Sequence, residues 1–180
     1  MSTGNASFAK LQEYEQRARG AEEADAGTSA SQGDWAGLAF RVGEFALVCG
    51  TDRVYESLPI PRITRVPGTK KFILGLANVR GNLITVIDLG CYLRGESTPV
   101  SGSSRLLSST LRGRPVGLLV DEVFGQRNFM SSDAGNPDLE DDSPFAGLVR
   151  KQHRSGTESW QELDLHVLFS QPEFLDGSAA

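Results

Sequence analysis

Cysteine, histidine and long apolar runs are scarce in this chain, and each scarcity excludes something. Of 180 residues two are cysteines, Cys49 and Cys91. Two thiols outside a C-x-x-C pair build neither a disulfide framework nor a redox couple. Apolar residues or glycine flank both, the setting of a buried, inert thiol. The two histidines, His153 and His166, have no neighbours that complete a catalytic triad or a metal ligand set. Each reads as a solvated side chain, the first in a basic loop and the second on the polar side of a strand. No apolar run approaches the ~20 residues that span a bilayer, so no direct membrane insertion is expected. The N-terminal MSTGNASFAK lacks the apolar core of a secretory signal, and a cytosolic setting follows as the expectation. Missing too are the glycine-rich motifs that cradle phosphate and the G-x-S-x-G turn that presents a serine. The acidic run from Asp138 to Asp142 lacks the spacing of a calcium loop and reads as solvated. The expectation is therefore no catalytic residue, no metal and no cofactor.

What is present describes an ordinary soluble domain. Hydrophobic residues make up 39% and charged residues 23%, enough apolar content for one core. A net charge of −5 counts against nucleic acid as the main partner, since that affinity comes from neutralising phosphates. Lys70-Lys71 and Arg150-Lys151 are local exceptions. Residues 1–20 read as a short helix with Phe8 and Leu11 on one face, and 21–34 as a flexible linker without periodicity. A domain is expected over 35–175, with a tail over 176–180.

From Trp35 onward the pattern is that of short strands. GLAFRVGEFALVCG suggests two strands turning at Gly43, and RLLSSTLRGRPVGLLV a hairpin with an Arg-Gly-Arg turn. Pro59, Pro61 and Pro67 place their stretch at a sheet edge or outside regular structure. QELDLHVLF alternates Leu163, Leu165 and Val167 with Asp164, His166 and Leu168, which predicts a half-buried strand. Strands separated by turn signals every 8–12 residues point to an all-β barrel or sandwich. No internal repeat stands out, and residues 131–144 read as an acidic loop.

The stretch GLANVRGNLITVIDL, Gly75 to Leu89, concentrates Asn78, Arg80 and Asp88 without any nucleophile or base. Arg80 needs an acceptor if partly buried, and Glu56 and Asp88 are the available carboxylates. The same stretch closely resembles the signature of CheW-like chemotaxis coupling domains, a G-[LIV]-x-N-[LV]-R-G turn followed by an apolar strand ending in D-L. Upstream VYESLPIPRITRVPG resembles the segment leading into that signature. Downstream GLLVDEVFGQRNF resembles the G-[IL]-x-V-D-x-V strand of the second half, with Gly117, Val120, Asp121 and Val123 in place.

The resemblance covers about Trp35 to Phe169 and implies two SH3-like β-barrel subdomains about a shared core. It implies no enzyme activity. Its partners would be the tip of a methyl-accepting chemoreceptor and the regulatory domain of a CheA-like histidine kinase, in arrays at the membrane. By that resemblance Asn78, Arg80, Gly81 and Asp88 are the structural signature. Val54, Glu56, Leu58, Arg80, Leu83 and Val123 become candidates for a receptor groove. Ile63, Thr64, Arg65 and Val66 become candidates for the kinase contact. A short helix, a linker and then WAGLAFRVG are similar to the member of the family that serves type IV pili and twitching motility. The alternatives are a flagellar coupling protein and, more distantly, a small β-barrel that binds nucleic acid. The last would need a basic face with exposed aromatics, whereas the nine Phe, three Tyr and two Trp read mostly as core.

Overall fold

A computed structural model describes residues 34–139 and 143–176 of the chain. The expected helix over 1–20, most of the linker and the end of the tail lie outside the described residues. The elements run β1 (Trp35–Val42), β2 (Phe45–Gly50), β3 (Glu56–Leu58), β4 (Ile63–Thr64), β5 (Ile73–Val79) and β6 (Asn82–Asp88). They continue with α1 (Leu89–Arg94), β7 (Arg105–Leu111), β8 (Arg114–Val120), β9 (Glu122–Phe129), a 3-10 turn at Ser131–Asp133 and β10 (Ala134–Gly135). Last come β11 (Val149–Ser155), β12 (Glu158–Leu163), α2 (Leu165–Ser170) and α3 (Pro172–Leu175).

These strands form two six-stranded sheets, a terminal sheet β10-β11-β12-β2-β1-β9 and a middle sheet β3-β7-β8-β6-β5-β4. The fold is mostly β, in two β-subdomains. Side-chain alternation divides three apolar layers between them. In β2, Leu47 and Cys49 point into the large central core, while Ala46 and Val48 line the interior of the terminal sheet. In β8, Val116, Leu118 and Val120 join the central core, while Leu119 turns into the interior of the middle sheet with Ile84, Val86 and Leu106. Cys49 and Cys91 are both buried. Burial first, and the nearby Asp52 charge second, push the Cys49 thiol up to about 12. The prolines act as the sequence suggests: β3 and β4, which they flank, are the two edges of the middle sheet.

The two sheets have one topology. In the middle sheet β6 runs parallel to β8, and antiparallel neighbours complete each side. In the terminal sheet β12 runs parallel to β2 with the same flanking pattern. One strand of each parallel pair, β6 or β12, runs directly into a short helix with an aspartate cap. Asp88 accepts from Cys91 N at 3.0 Å, and Asp164 accepts from His166 N at 2.8 Å. The backbone matches as well, since Asp88 N donates to Phe72 O at 2.7 Å and Asp164 N to Leu148 O at 2.8 Å.

Two expectations are overturned. Leu165 to Phe169 is helical rather than extended, because the Asp164 side chain satisfies the free N–H groups of His166 and Val167 and nucleates a turn there. Leu165, Leu168 and Phe169 are then the buried face. His166 accordingly sits exposed on α2. His153 is buried in β11 rather than solvated in a loop. Its ring stacks on Trp35 at 4.5 Å, and its Nε2 lies 2.7 Å from Glu162 Oε2.

Candidate functional site

The Asn-x-Arg-Gly stretch is the two-residue turn between β5 and β6, with Val79 opposite Asn82. Arg80 and Gly81 both have positive φ, 50° and 86°, as a type I′ hairpin turn demands. Gly81 adopts this freely. Arg80 is a side chain held in the left-handed region. Asn78 supplies the clamp, its Oδ1 accepting from Gly81 N at 2.9 Å.

Arg80 is thereby thrust outward, and its Nη1 meets Glu56 Oε2 at 2.9 Å. Glu56 belongs to β3, which β7 and β8 separate from β6 within the sheet. The ion pair therefore bridges the rolled sheet from the hairpin tip to the opposite edge. Its side chains are 72% and 31% exposed, so it contributes about 0–1 kcal/mol. The pair fixes the shape of a surface more than it stabilises the fold.

Asp88, the other carboxylate available to Arg80, has a different task. It is buried, and besides capping α1 it accepts from Thr98 N at 2.9 Å and from Thr98 Oγ1 at 2.6 Å. It fastens the loop after α1 to the end of β6. Asp121 does comparable work in the second half, accepting from Gly43 N at 2.7 Å to hold the β1–β2 turn.

The groove candidates divide by burial. Leu83 is 61% exposed on β6, close in sequence to Arg80. Val54 and Val123 are half-buried against the central core, and Leu58 against the interior of the middle sheet. Tyr55, missed by the sequence reading, is 67% exposed between Val54 and Glu56. Its signal was present, because V-Y-E alternates and Val54 turns inward.

In the kinase candidate segment, Ile63 packs against the interior of the middle sheet while Thr64, Arg65 and Val66 are exposed. β4 lies against β5 with Ile63 opposite Ala77 and Thr64 opposite Leu76. Gly75 makes that approach possible. Its φ is +136°, and a Cβ there would drive into the Thr64 carbonyl. Beyond β4 the chain lines a cleft of about 500 Å³ that includes Arg65, Val66, Lys70, Lys71, Ile73 and Leu74. The sequence marked Lys70-Lys71 as a basic cluster but gave no sign of an apolar floor beside it.

Among the described residues, no group of three or more His, Cys, Asp or Glu side chains is placed to hold a metal ion, and no helix is long and apolar enough to cross a membrane. A search among known proteins agrees with the sequence resemblance. The model of the CheW-like domain matches residues 36–173. The chain is 35% identical to Protein PilI of Pseudomonas aeruginosa over 98% of both chains. It is 29% identical to Protein FrzA of Myxococcus xanthus over 66% of this chain and 74% of that one. The crystal structure of the scaffolding protein TtCheW from Thermoanaerobacter tengcongensis superposes with a TM-score of 0.64 at 25% identity, covering 77% of this chain and 94% of that chain. Two like-wound β-subdomains, the clamped Asn-x-Arg-Gly hairpin and these matches lead to one assignment: the chain belongs to the CheW-like domain family.

Proposed function

We propose that this chain is a non-enzymatic adaptor that couples the tip of a methyl-accepting chemoreceptor to the regulatory domain of a CheA-like histidine kinase. It works in the chemosensory system of type IV pili and twitching motility, in the cytoplasm at membrane-associated receptor arrays. The observation that carries the reading is the match to PilI, which runs through 98% of both chains and so includes the segment ahead of the domain. The surface chemistry supports it. An adaptor works by shape, and the strained Arg80 turn, its Glu56 partner and exposed Tyr55 and Leu83 present a shaped, partly apolar surface at one end of the middle sheet. Receptor contact is assigned to this end, with Val54, Leu58 and Val123 shaping the groove behind it. Kinase contact is assigned to Ile63 through Val66 at the β4 edge.

Reconstitution of receptor, kinase and adaptor tests the reading. Adding the chain should raise receptor-dependent autophosphorylation of the pilus-system kinase. Arg80→Ala should cut receptor coupling while kinase pull-down persists. Val66→Asp should do the reverse, because Val66 is exposed and its replacement leaves the sheet interior intact. A chain that binds neither partner, or activates only a flagellar kinase, would refute the assignment.

A further inference from the structure

The cleft beside β4 combines a basic lining with apolar walls. We propose that it receives an apolar side chain borne on an acidic segment of the kinase regulatory domain. This rests on the reading of the β4 edge as kinase-facing and adds the chemistry of what binds there.

Three cations, Arg65, Lys70 and Lys71, line the cleft, and no aspartate or glutamate does. These cations gather here although the chain as a whole is acidic at −5. Part of Lys70 is used internally, with its Nζ 3.8 Å from Asp176 Oδ2 and donating to Glu173 O at 3.4 Å. Arg65 and Lys71 are exposed. Between the cations, Val66, Ile73 and Leu74 supply apolar walls, and Val66 is 37% exposed. An apolar centre inside a polar rim is how a few buried side chains come to dominate an interface. With a basic rim, the complementary rim is acidic.

The walls are also held in place before any partner arrives. Thr69 Oγ1 donates to Val66 O at 2.9 Å, and Ile73 N donates to Lys70 O at 2.9 Å. Gly75 lets β4 press against β5. A preformed cleft avoids the ordering cost of binding. Its concavity favours a protruding side chain over a bilayer, where the apolar face of the protein must itself protrude.

The test titrates intact kinase with the full chain by calorimetry at about 50 mM and about 500 mM salt, which separates screened from unscreened contacts. Arg65→Glu and Lys71→Glu should each weaken binding about tenfold at low salt, and the difference should shrink at high salt. Lys151→Glu, exposed on β11, should change nothing. Thermal melts accompany each variant, and Arg65→Gln and Lys71→Gln replace any reversal that fails to fold. If wild type binds and the reversals bind equally well, the acidic-partner inference is overturned and the adaptor reading stands. If wild type does not bind the kinase at all, both are overturned. Vesicles of one-third phosphatidylserine form the last arm. Sedimentation with them that the reversals abolish, at unchanged kinase affinity, would mean that the cleft faces lipid and would also overturn the inference.

Discussion

Asp88→Ala separates what the signature does for the fold from what it does for partners. The Asp88 carboxylate is 1% exposed and accepts three hydrogen bonds, from Cys91 N at 3.0 Å, Thr98 N at 2.9 Å and Thr98 Oγ1 at 2.6 Å. Losing a helix N-cap costs about 1 kcal/mol. Leaving a buried donor without its acceptor costs about 1–3 kcal/mol, and Thr98 is 7% exposed, so water reaches its two donors poorly. These terms overlap, and a total of about 3–4 kcal/mol is expected. For a domain of this size that lowers Tm by roughly 10 °C.

Asp88→Asn refines the test. Asparagine still caps, but its amide would place a donor against Thr98 N–H, so its loss should fall between wild type and alanine. Urea unfolding followed by circular dichroism gives both numbers. Arg80→Ala is the companion, with a loss under about 1 kcal/mol, because its ion pair is largely exposed. Below its melting temperature Asp88→Ala should bind both partners as wild type does. An alanine cost under about 1 kcal/mol would refute the reasoning, since the three donors would then have found other acceptors.

Three further outcomes follow from the geometry. Gly75→Ala should push β4 away from β5 and weaken kinase binding more than receptor binding, measured by calorimetry with each partner; equal losses would mean general unfolding. Burial raises Asp164, but hydrogen bonds from Val167 N, Arg150 and His166 N outweigh it and leave the carboxyl below its ordinary value; its stabilisation is complete above about pH 4 and fades as pH falls through the lowered value, so Asp164→Asn should flatten the acid limb of a stability profile. Cys49, raised to about 12, should resist iodoacetamide at pH 8 in the folded chain and react once urea unfolds it, as mass spectrometry would register.

The local half of the fold was legible in the sequence because hairpins are local. Two-residue turns carry their own glycine, as in Arg80-Gly81 and Arg112-Gly113, both at positive φ. Prolines remove the N–H that a central strand needs, so the stretch that holds β3 and β4 could be kept out of the sheet centre, at an edge or outside regular structure. The six-residue α2 could not be read. A helix of fewer than two turns fits a period of 2 and a period of 3.6 about equally over Leu163 to Leu168, and the deciding observation is the Asp164 cap. His153 was misread for a longer-range reason: its burial depends on Trp35 stacking from β1, with β2 and β12 lying between β1 and β11 in the sheet. In the candidate site, charge narrowed the partner of Arg80 to Glu56 or Asp88, and the choice of Glu56 needed the structure, where Asp88 is buried against Cys91 N and Thr98. The cleft was not legible, because its floor comes partly from Ile73 and Leu74, whose exposure depends on how β4 ends.

The shared topology explains why the sequence hides its repeat. The middle sheet is built in one pass, β3 through β8, with α1 between β6 and β7. The terminal sheet repeats that order as β9 through β12 and α2, and then needs two more strands, which β1 and β2 supply from the other end of the chain. A fixed-period comparison finds nothing, since one copy is cut open and its last third stands first. The trace that survives locally is the pair Asp88-Leu89 and Asp164-Leu165, each closing a strand and capping a helix. The same weave makes the two halves inseparable. β1 and β2 lie inside the terminal sheet, between β9 and β12, and contribute Phe40, Val42, Leu47 and Cys49 to the central core. Removing them would open two strand edges and strip one side of the core that the middle sheet also packs against. The middle sheet carries the β4 edge and most of the proposed receptor surface, with Val123 added from β9 of the terminal sheet, yet it holds its shape only when β1 and β2 have met β9 and β12.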